Sequence, residues 1–185
     1  MKELLDTWYQ QSGQISPVRI PKLDRKRLVQ LFGEHGLTEG AEIGVDRGRF
    51  SEYMFKVIPD LHLYCVDPWR WKLRGESRYN STVTRLTDRN ATIIRKDAMD
   101  ARYDVPDESL DFVYIDGDHL FDAVVQDIIA WMPKIKLGGI MALHDYHTEV
   151  GADVMMAINA YTHCHDIRPW YVTREQLPSA YWVKK

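Results

Sequence analysis

The sequence predicts an α/β domain with a mostly parallel sheet, and three observations support this fold class. First, short apolar runs typical of buried strands alternate with segments whose apolar residues recur at helical spacing. Second, the chain has 185 residues, which suits one domain with one sizeable core. Third, only a short link separates the last two apolar runs, and this predicts a hairpin that brings in an antiparallel strand.

Two segments precede the predicted sheet. Residues 1–23 hold a short amphipathic piece and then a stretch with two prolines, so we expect an N-terminal arm. Asp24 is suited to cap a helix over about residues 25–35, and Gly36 is suited to end it. We therefore expect one domain over residues 24–185. The arm could be a lid or a homodimer contact, and the sequence does not separate these roles.

Seven strands and three further helices follow. The strands are predicted at GAEIGV (40–45), LHLYCVD (61–67), TIIRKD (92–97), DFVYID (111–116), LGGIMALHD (137–145), RPWYVT (168–173) and SAYWVK (179–184). Apolar residues at helical spacing predict helices at 46–58, 119–132 and 152–163. Because helices follow strands in alternation, they should cover both faces of the sheet.

Composition and charge argue against several partners. The net charge is −3 and the basic residues are dispersed, so nucleic acid is not expected as a partner. No run approaches the ~18 apolar residues of a membrane span, so no membrane partner is expected. Cys65 and Cys164 lie far apart and cannot build a disulfide framework, so a reduced, cytoplasmic setting is the default expectation.

Each of the first five predicted strands ends at an acidic residue. These residues are Asp46, Asp67, Asp97, Asp116 and Asp145, and Asp118, His119, His144 and His147 lie beside the last two. In open parallel sheets, ligands bind beyond the carboxyl ends of the strands. A single aspartate there is most simply a turn residue or a helix cap, but five at one edge predict a ligand site.

The first two strand ends point to a nucleoside cofactor. Gly44 and Gly48 allow a ligand to approach the backbone closely at a strand-to-helix turn. Asp67 follows Gly48 by 67 − 48 = 19 residues, where a carboxylate can accept both hydroxyls of a ribose. From these residues alone, both NAD and S-adenosylmethionine remain open.

Four motifs in order carry a family resemblance. EIGVDRG (42–48), VDPW (66–69), IDGDH (115–119) and GGIMALHDY (138–146) resemble those of class I S-adenosylmethionine-dependent methyltransferases, in the small branch similar to methyltransferase family 24. The resemblance runs from about residue 38 to the C-terminus. It implies a Rossmann-like, doubly wound, seven-stranded sheet whose last strand is antiparallel. NAD is then the weaker choice, because the loop lacks G-x-G-x-x-G and its acidic residues would repel a pyrophosphate.

The resemblance also implies which residues bind the cofactor. They are Glu42, Gly44, Val45, Gly48, Asp67, Pro68, Trp69, Asp97, Ala98 and Asp116. Glu42 would orient the methionine amino group through water, and Asp67 would hold the ribose hydroxyls. Asp97 and Ala98 would approach the adenine, and Asp116 would lie near the methionine end and the reaction centre.

A divalent metal is the main open question at this site. Catechol, caffeoyl-coenzyme A and macrocin-type sugar O-methyltransferases hold magnesium at the positions of Asp116, His144 and Asp145. Such an ion would lower the pKa of a substrate hydroxyl. His144 departs from the carboxylate of those relatives, and its imidazole suits zinc, iron or manganese better than magnesium. Without a metal, His119 or His147 would act as the base.

The sequence thus predicts a methyltransferase that acts on an oxygen of a small hydroxylated metabolite or sugar, with or without metal assistance. The aromatic and basic residues of segment 68–89 are expected to line the substrate site. The alternative is that this segment is an ordinary solvated amphipathic helix. The competing function is a Rossmann-like nucleoside-binding protein without methyl transfer, either an NAD-type oxidoreductase or a non-catalytic binding subunit.

Overall fold

A computed structural model describes residues 1–11, 13, 15–70, 73–147 and 153–185. The strands of this part are β1 (Val18–Arg19), β2 (Glu39–Ile43), β3 (His62–Val66), β4 (Ala91–Ile94), β5 (Leu110–Ile115), β6 (Ile135–Leu143), β7 (Trp170–Val172) and β8 (Ala180–Val183). Its helices are α1 (Lys2–Gln11), α2 (Arg25–Glu34), α3 (Arg49–Val57), α4 (Gly75–Leu86), α5 (Ala98–Ala101), α6 (Phe121–Trp131) and α7 (Asp153–Cys164). No helix formed by these residues is long and apolar enough to cross a membrane.

The described strands form one sheet in the order β1-β7-β8-β6-β5-β2-β3-β4. β8 runs antiparallel to both of its neighbours, and the remaining pairs are parallel. The predicted α/β class, with a mostly parallel sheet and an antiparallel C-terminal strand, is therefore confirmed. The strand number is corrected from seven to eight, because β1 pairs in parallel with the edge strand β7. A strand of two residues is too short to show the alternation of apolar and polar residues from which a strand is predicted.

The N-terminal segment is part of the packed structure and not a loose arm. Leu5 is 1% exposed, and its carbonyl oxygen accepts a hydrogen bond from the Tyr171 hydroxyl at 2.8 Å. Val18 and Ile20 are also buried in the same core cluster. The predicted arm thus contributes apolar residues to the core, in the same cluster as Tyr171 of β7 and Tyr181 of β8. A domain boundary at residue 23 stays a prediction.

The sheet separates two apolar cores, as a sheet covered on both faces requires. On β5, Val113 and Ile115 belong to the core under α6 and α7, whereas Phe112 and Tyr114 belong to the core that includes α2. The predicted cap of α2 is confirmed, since the Asp24 carboxylate accepts a hydrogen bond from the Arg27 backbone at 2.7 Å.

Candidate functional site

A cavity of about 620 Å³ opens at the carboxyl ends of the central strands. β2 lies between β3 and β5, so the order of the sheet reverses beside this cavity. Such switch points are where open α/β sheets bind ligands. The lining includes seven predicted cofactor residues, namely Gly44, Asp67, Pro68, Trp69, Asp97, Ala98 and Asp116.

Gly44 brings the end of β2 against the end of β5. Its φ is 91°, and a Cβ at this position would lie 2.0 Å from the Asp116 carbonyl oxygen. No side chain fits there, so the close approach of the two strand ends requires glycine. Gly48 also has a positive φ, of 71°, and caps α3.

Backbone amides hold the Asp67 carboxylate in place at the cavity wall. One oxygen accepts from the Asp46 N–H at 2.9 Å, and the other accepts from the Trp69 N–H at 2.7 Å. Burial raises the pKa of Asp67, and these amide hydrogen bonds offset part of that rise. Each oxygen keeps a second lone pair, so the group can accept a pair of vicinal hydroxyls.

Three predicted cofactor residues, Glu42, Val45 and Gly48, are absent from the cavity lining. Glu42 is 1% exposed and accepts a short hydrogen bond from the Ser51 hydroxyl. Burial raises the pKa of Glu42 to about 8. Glu42 therefore does not line the cavity, and its water-mediated role toward the cofactor stays a prediction.

The cavity also uses residues that sequence reasoning did not assign to the cofactor. They are Ile43, Asp46, Val66, Arg78, Met99, Gly117, Asp118, His119, Ala123, Gln126 and Asp127. Ala123, Gln126 and Asp127 lie on one stripe of α6 because their spacing is three and four residues. A carboxylate interrupting the apolar pattern of this helix was the available signal.

Segment 68–89 lies against the cofactor side of the site. Arg78 donates to the Asp46 carboxylate at 2.6 Å, and Arg70 forms a short ion pair with Asp97. Tyr79 packs edge-on against Trp69, with the ring centroids 5.1 Å apart. These contacts favour a supporting role for the helical part of the segment, while its residues 71–72 lie outside the described residues.

A second cluster adjoins the cavity, with Asp145 at its centre. His144 Nδ1 lies 3.0 Å from one Asp145 oxygen, and His119 Nε2 lies 3.0 Å from the other. His147 Nε2 is 3.8 Å from the first oxygen. Asp116 joins the cluster through an oxygen 3.5 Å from His144 Nδ1. The structure thus brings together every residue predicted for catalysis or metal binding.

Arg25, which sequence reasoning did not single out, lies inside this cluster. Its Nη1 atom is 3.1 Å from His144 Nε2 and 3.6 Å from an Asp116 oxygen. The guanidinium carbon lies 5.1 Å from the centre of the Phe50 ring. Nothing in the local sequence marks Arg25, because it follows the cap residue of α2 and reaches strand ends that are distant along the chain.

Two influences act on the His144 ring. Burial lowers the pKa of His144, but its contacts with Asp116 and Asp145 raise it to about 9. The same histidine lowers the pKa of Asp145, against the effect of burial. Arg25, however, can donate to Nε2 only if that nitrogen carries a lone pair. An N–H on Nε2 would point at the guanidinium, so whenever the ring is neutral the contact with Arg25 places its proton on Nδ1.

Comparisons with known proteins agree with this geometry. Residues 41–146 match methyltransferase family 24, described as a methyltransferase domain. A protein of Sinorhizobium fredii (strain NBRC 101917 / NGR234), named uncharacterized protein y4gI, is 30% identical over 120 residues. That match covers 59% of this chain but only 13% of the relative's length.

Two solved structures have the same fold at low identity. A candidate caffeoyl-CoA O-methyltransferase from Staphylococcus aureus aligns with a TM-score of 0.71 at 15% identity, covering 99% of this chain and 91% of that chain. The O-methyltransferase TomG from Streptomyces achromogenes, involved in tomaymycin synthesis and solved in complex with SAM, has a TM-score of 0.67 at 14% identity. The alignment covers 100% of this chain and 91% of TomG.

Proposed function

Because this chain belongs to methyltransferase family 24, we propose that it transfers a methyl group from S-adenosylmethionine to an oxygen of a small hydroxylated metabolite or sugar. One observation carries the proposal. A single cavity is lined both by the amide-held Asp67 carboxylate and by His119, which pairs with the buried Asp145. The first group suits a ribose, and the second suits the removal of a proton.

The residues that line the cavity support S-adenosylmethionine as the methyl donor. S-adenosylmethionine supplies an electrophilic methyl group on a positively charged sulfur. Gly44 leaves room at the β2 end, and Asp67 would accept the two ribose hydroxyls. Asp97 and Ala98 would face the adenine, as the family resemblance implies. Asp116 would place negative charge near the sulfonium, which favours a cation over a pyrophosphate.

His119 would act as the general base. Its side chain is half exposed, so an acceptor can reach it, and Asp145 orients its ring by pairing with Nε2. His119 Nδ1 would take the proton of the acceptor hydroxyl while an oxygen lone pair forms the new bond to the methyl carbon. The carbon–sulfur bond breaks, and its electron pair stays on sulfur as a neutral thioether. Holding the two reactants in line provides most of the acceleration.

Metal assistance through Asp116, His144 and Asp145 stays a prediction. The three ligand atoms lie within 4.8 Å of one another, and their types suit a divalent ion such as Mg²⁺, Mn²⁺ or Zn²⁺. His144 Nδ1 is also buried without a hydrogen-bond partner among the described residues. Donor type and spacing fit a metal, but the adjacent Arg25 charge does not. The steps above therefore use only the side chains of this chain.

A screen with methyl-labelled S-adenosylmethionine tests the proposal. Hydroxylated, amino and thiol acceptors would be offered in the presence of EDTA, with a His119→Gln variant beside the wild type. We expect label on oxygen of a small acceptor, and a rate at least a hundredfold lower in the variant. Label only on nitrogen, carbon, RNA or protein would contradict the proposal, whereas activity that vanishes in EDTA would favour the metal-assisted form.

A further inference from the structure

We infer that Arg25 is the resident cation of the Asp116–His144–Asp145 cluster, and that its contacts with His144 and Asp116 oppose the binding of a metal there. Arg25 would thus be a positioning residue that takes the electrostatic place of a divalent ion. The inference deepens the proposed function and rests on it for the reaction, although its binding test requires no turnover.

The contact between Arg25 and His144 determines which ring nitrogen can bind a metal. Nδ1 is the nitrogen that faces the carboxylates of Asp116 and Asp145, at 3.5 and 3.0 Å. A metal on Nδ1 requires the lone pair there and places the ring proton on Nε2. That proton would then point at Arg25 Nη1, which is itself a donor 3.1 Å away. The arginine and a metal therefore demand opposite tautomers.

Charge favours the same outcome. Asp116 and Asp145 bring two negative charges, and the Arg25 guanidinium neutralises one of them from 3.6 Å. A divalent ion among these groups would sit beside a fixed positive charge in a partly buried site, where like charges repel more strongly than in water. In a metal-ligating histidine, the second nitrogen normally donates to an acceptor. Here that nitrogen faces a cation.

The position of Arg25 is built into the fold from several sides. Its backbone N–H donates to the Glu175 carboxylate at 2.8 Å, and Glu175 also accepts from the Thr173 hydroxyl at 3.0 Å. Asp24 caps the same helix turn. The guanidinium packs over the Phe50 ring, which restricts its orientation.

Manganese binding measured by electron paramagnetic resonance tests the inference directly. Mn²⁺ would be titrated into the wild type, Arg25→Gln and Arg25→Met, all checked for folding by circular dichroism. We expect the wild type to bind no tighter than the millimolar range. Removal of the charge should tighten binding at least tenfold, and a further Asp116→Asn change should abolish the gain.

The matched control is Arg27→Gln. Arg27 lies on the same helix and pairs with Glu34 on an exposed face, so its loss should leave Mn²⁺ binding unchanged. Micromolar binding by the wild type would overturn the inference. So would folded Arg25 variants that bind Mn²⁺ no better than the wild type.

The tautomer provides an independent readout. Nitrogen-15 NMR of the histidine rings, recorded above the His144 pKa of about 9, should show the His144 proton on Nδ1 in the wild type and a shift of that population in Arg25→Gln. A neutral His144 ring with its proton on Nε2 would contradict the inference. Failure of S-adenosylhomocysteine to bind the wild type would instead defeat the proposed function and leave this result standing.

Discussion

Asp127 is a carboxyl group whose surroundings oppose its ionisation. It lies on α6, lines the cavity and is only 7% exposed. Burial raises the pKa of Asp127 to about 7, and the nearby Asp118 carboxylate adds to the rise. The folded protein therefore keeps a proton that the unfolded chain loses near pH 4. Stability from this group is fully present below about pH 4 and is lost as the pH rises through about 7.

Replacing Asp127 by asparagine should remove this dependence. Asp127→Asn should flatten the stability profile between about pH 4 and pH 7, and should stabilise the fold at pH 8 by up to about 4 kcal/mol. Urea unfolding at pH 5 and pH 8 measures both effects. Asp122→Asn on the exposed side of the same helix is the control, and an identical slope in wild type and Asp127→Asn would contradict the assignment.

Gly44 provides a second prediction at the scale of one residue. Gly44→Ala combines a left-handed backbone with a clash against the Asp116 carbonyl, whereas Gly138→Ala has a similar φ of 83° and no atom within 4 Å of the added Cβ. The control Gly138→Ala should lower the free energy of unfolding by about 1–2 kcal/mol, from backbone strain alone. We expect Gly44→Ala to lower the free energy of unfolding by more than the control does. We also expect this variant to lose S-adenosylhomocysteine binding. Equal losses in denaturant unfolding would show that the close approach does not matter.

At the scale of elements, the five central strands were predictable because each is marked by a short, mostly apolar run. Each observed strand, from β2 to β6, begins and ends within a few residues of its prediction. The helices α3, α6 and α7 were found from apolar residues at helical spacing in the same way. β1 was not predicted, because it consists of two residues between prolines and is a strand only through its pairing with β7, which is distant along the chain.

The N-terminal elements therefore carry a prediction about stability. Leu5→Ala should destabilise the protein by about 2–5 kcal/mol, as expected for a leucine buried in a core. Ile15→Ala is the control, since Ile15 is 69% exposed and should change stability by less than about 0.5 kcal/mol. Chemical denaturation compares the two, and a neutral Leu5→Ala would show that this segment contributes little to the stability of the core.

At the scale of the whole molecule, the sheet brings residues that are distant in the sequence together in one site. The aspartates at strand ends could be predicted because parallel strands all end at the same edge. Arg25 could not, since its contacts join the first turn of α2 to the ends of β5 and β6. The residues of α6 that line the cavity were not predicted, for a related reason. Asp127 interrupts the apolar pattern of α6, but only the packing shows that this carboxyl is buried and lines the cavity.

Calorimetric titration of S-adenosylhomocysteine into the wild type and Asp67→Ala tests the proposed methyltransferase site most directly. We expect binding to the wild type, and a loss of tenfold or more in the variant, because about 1.5–3 kcal/mol is lost with a hydrogen bond to a charged group. Asp88→Asn, at an exposed turn, should bind like the wild type. No binding to the wild type, or equal affinity in Asp67→Ala, would contradict the assignment of this cavity to a nucleoside methyl donor.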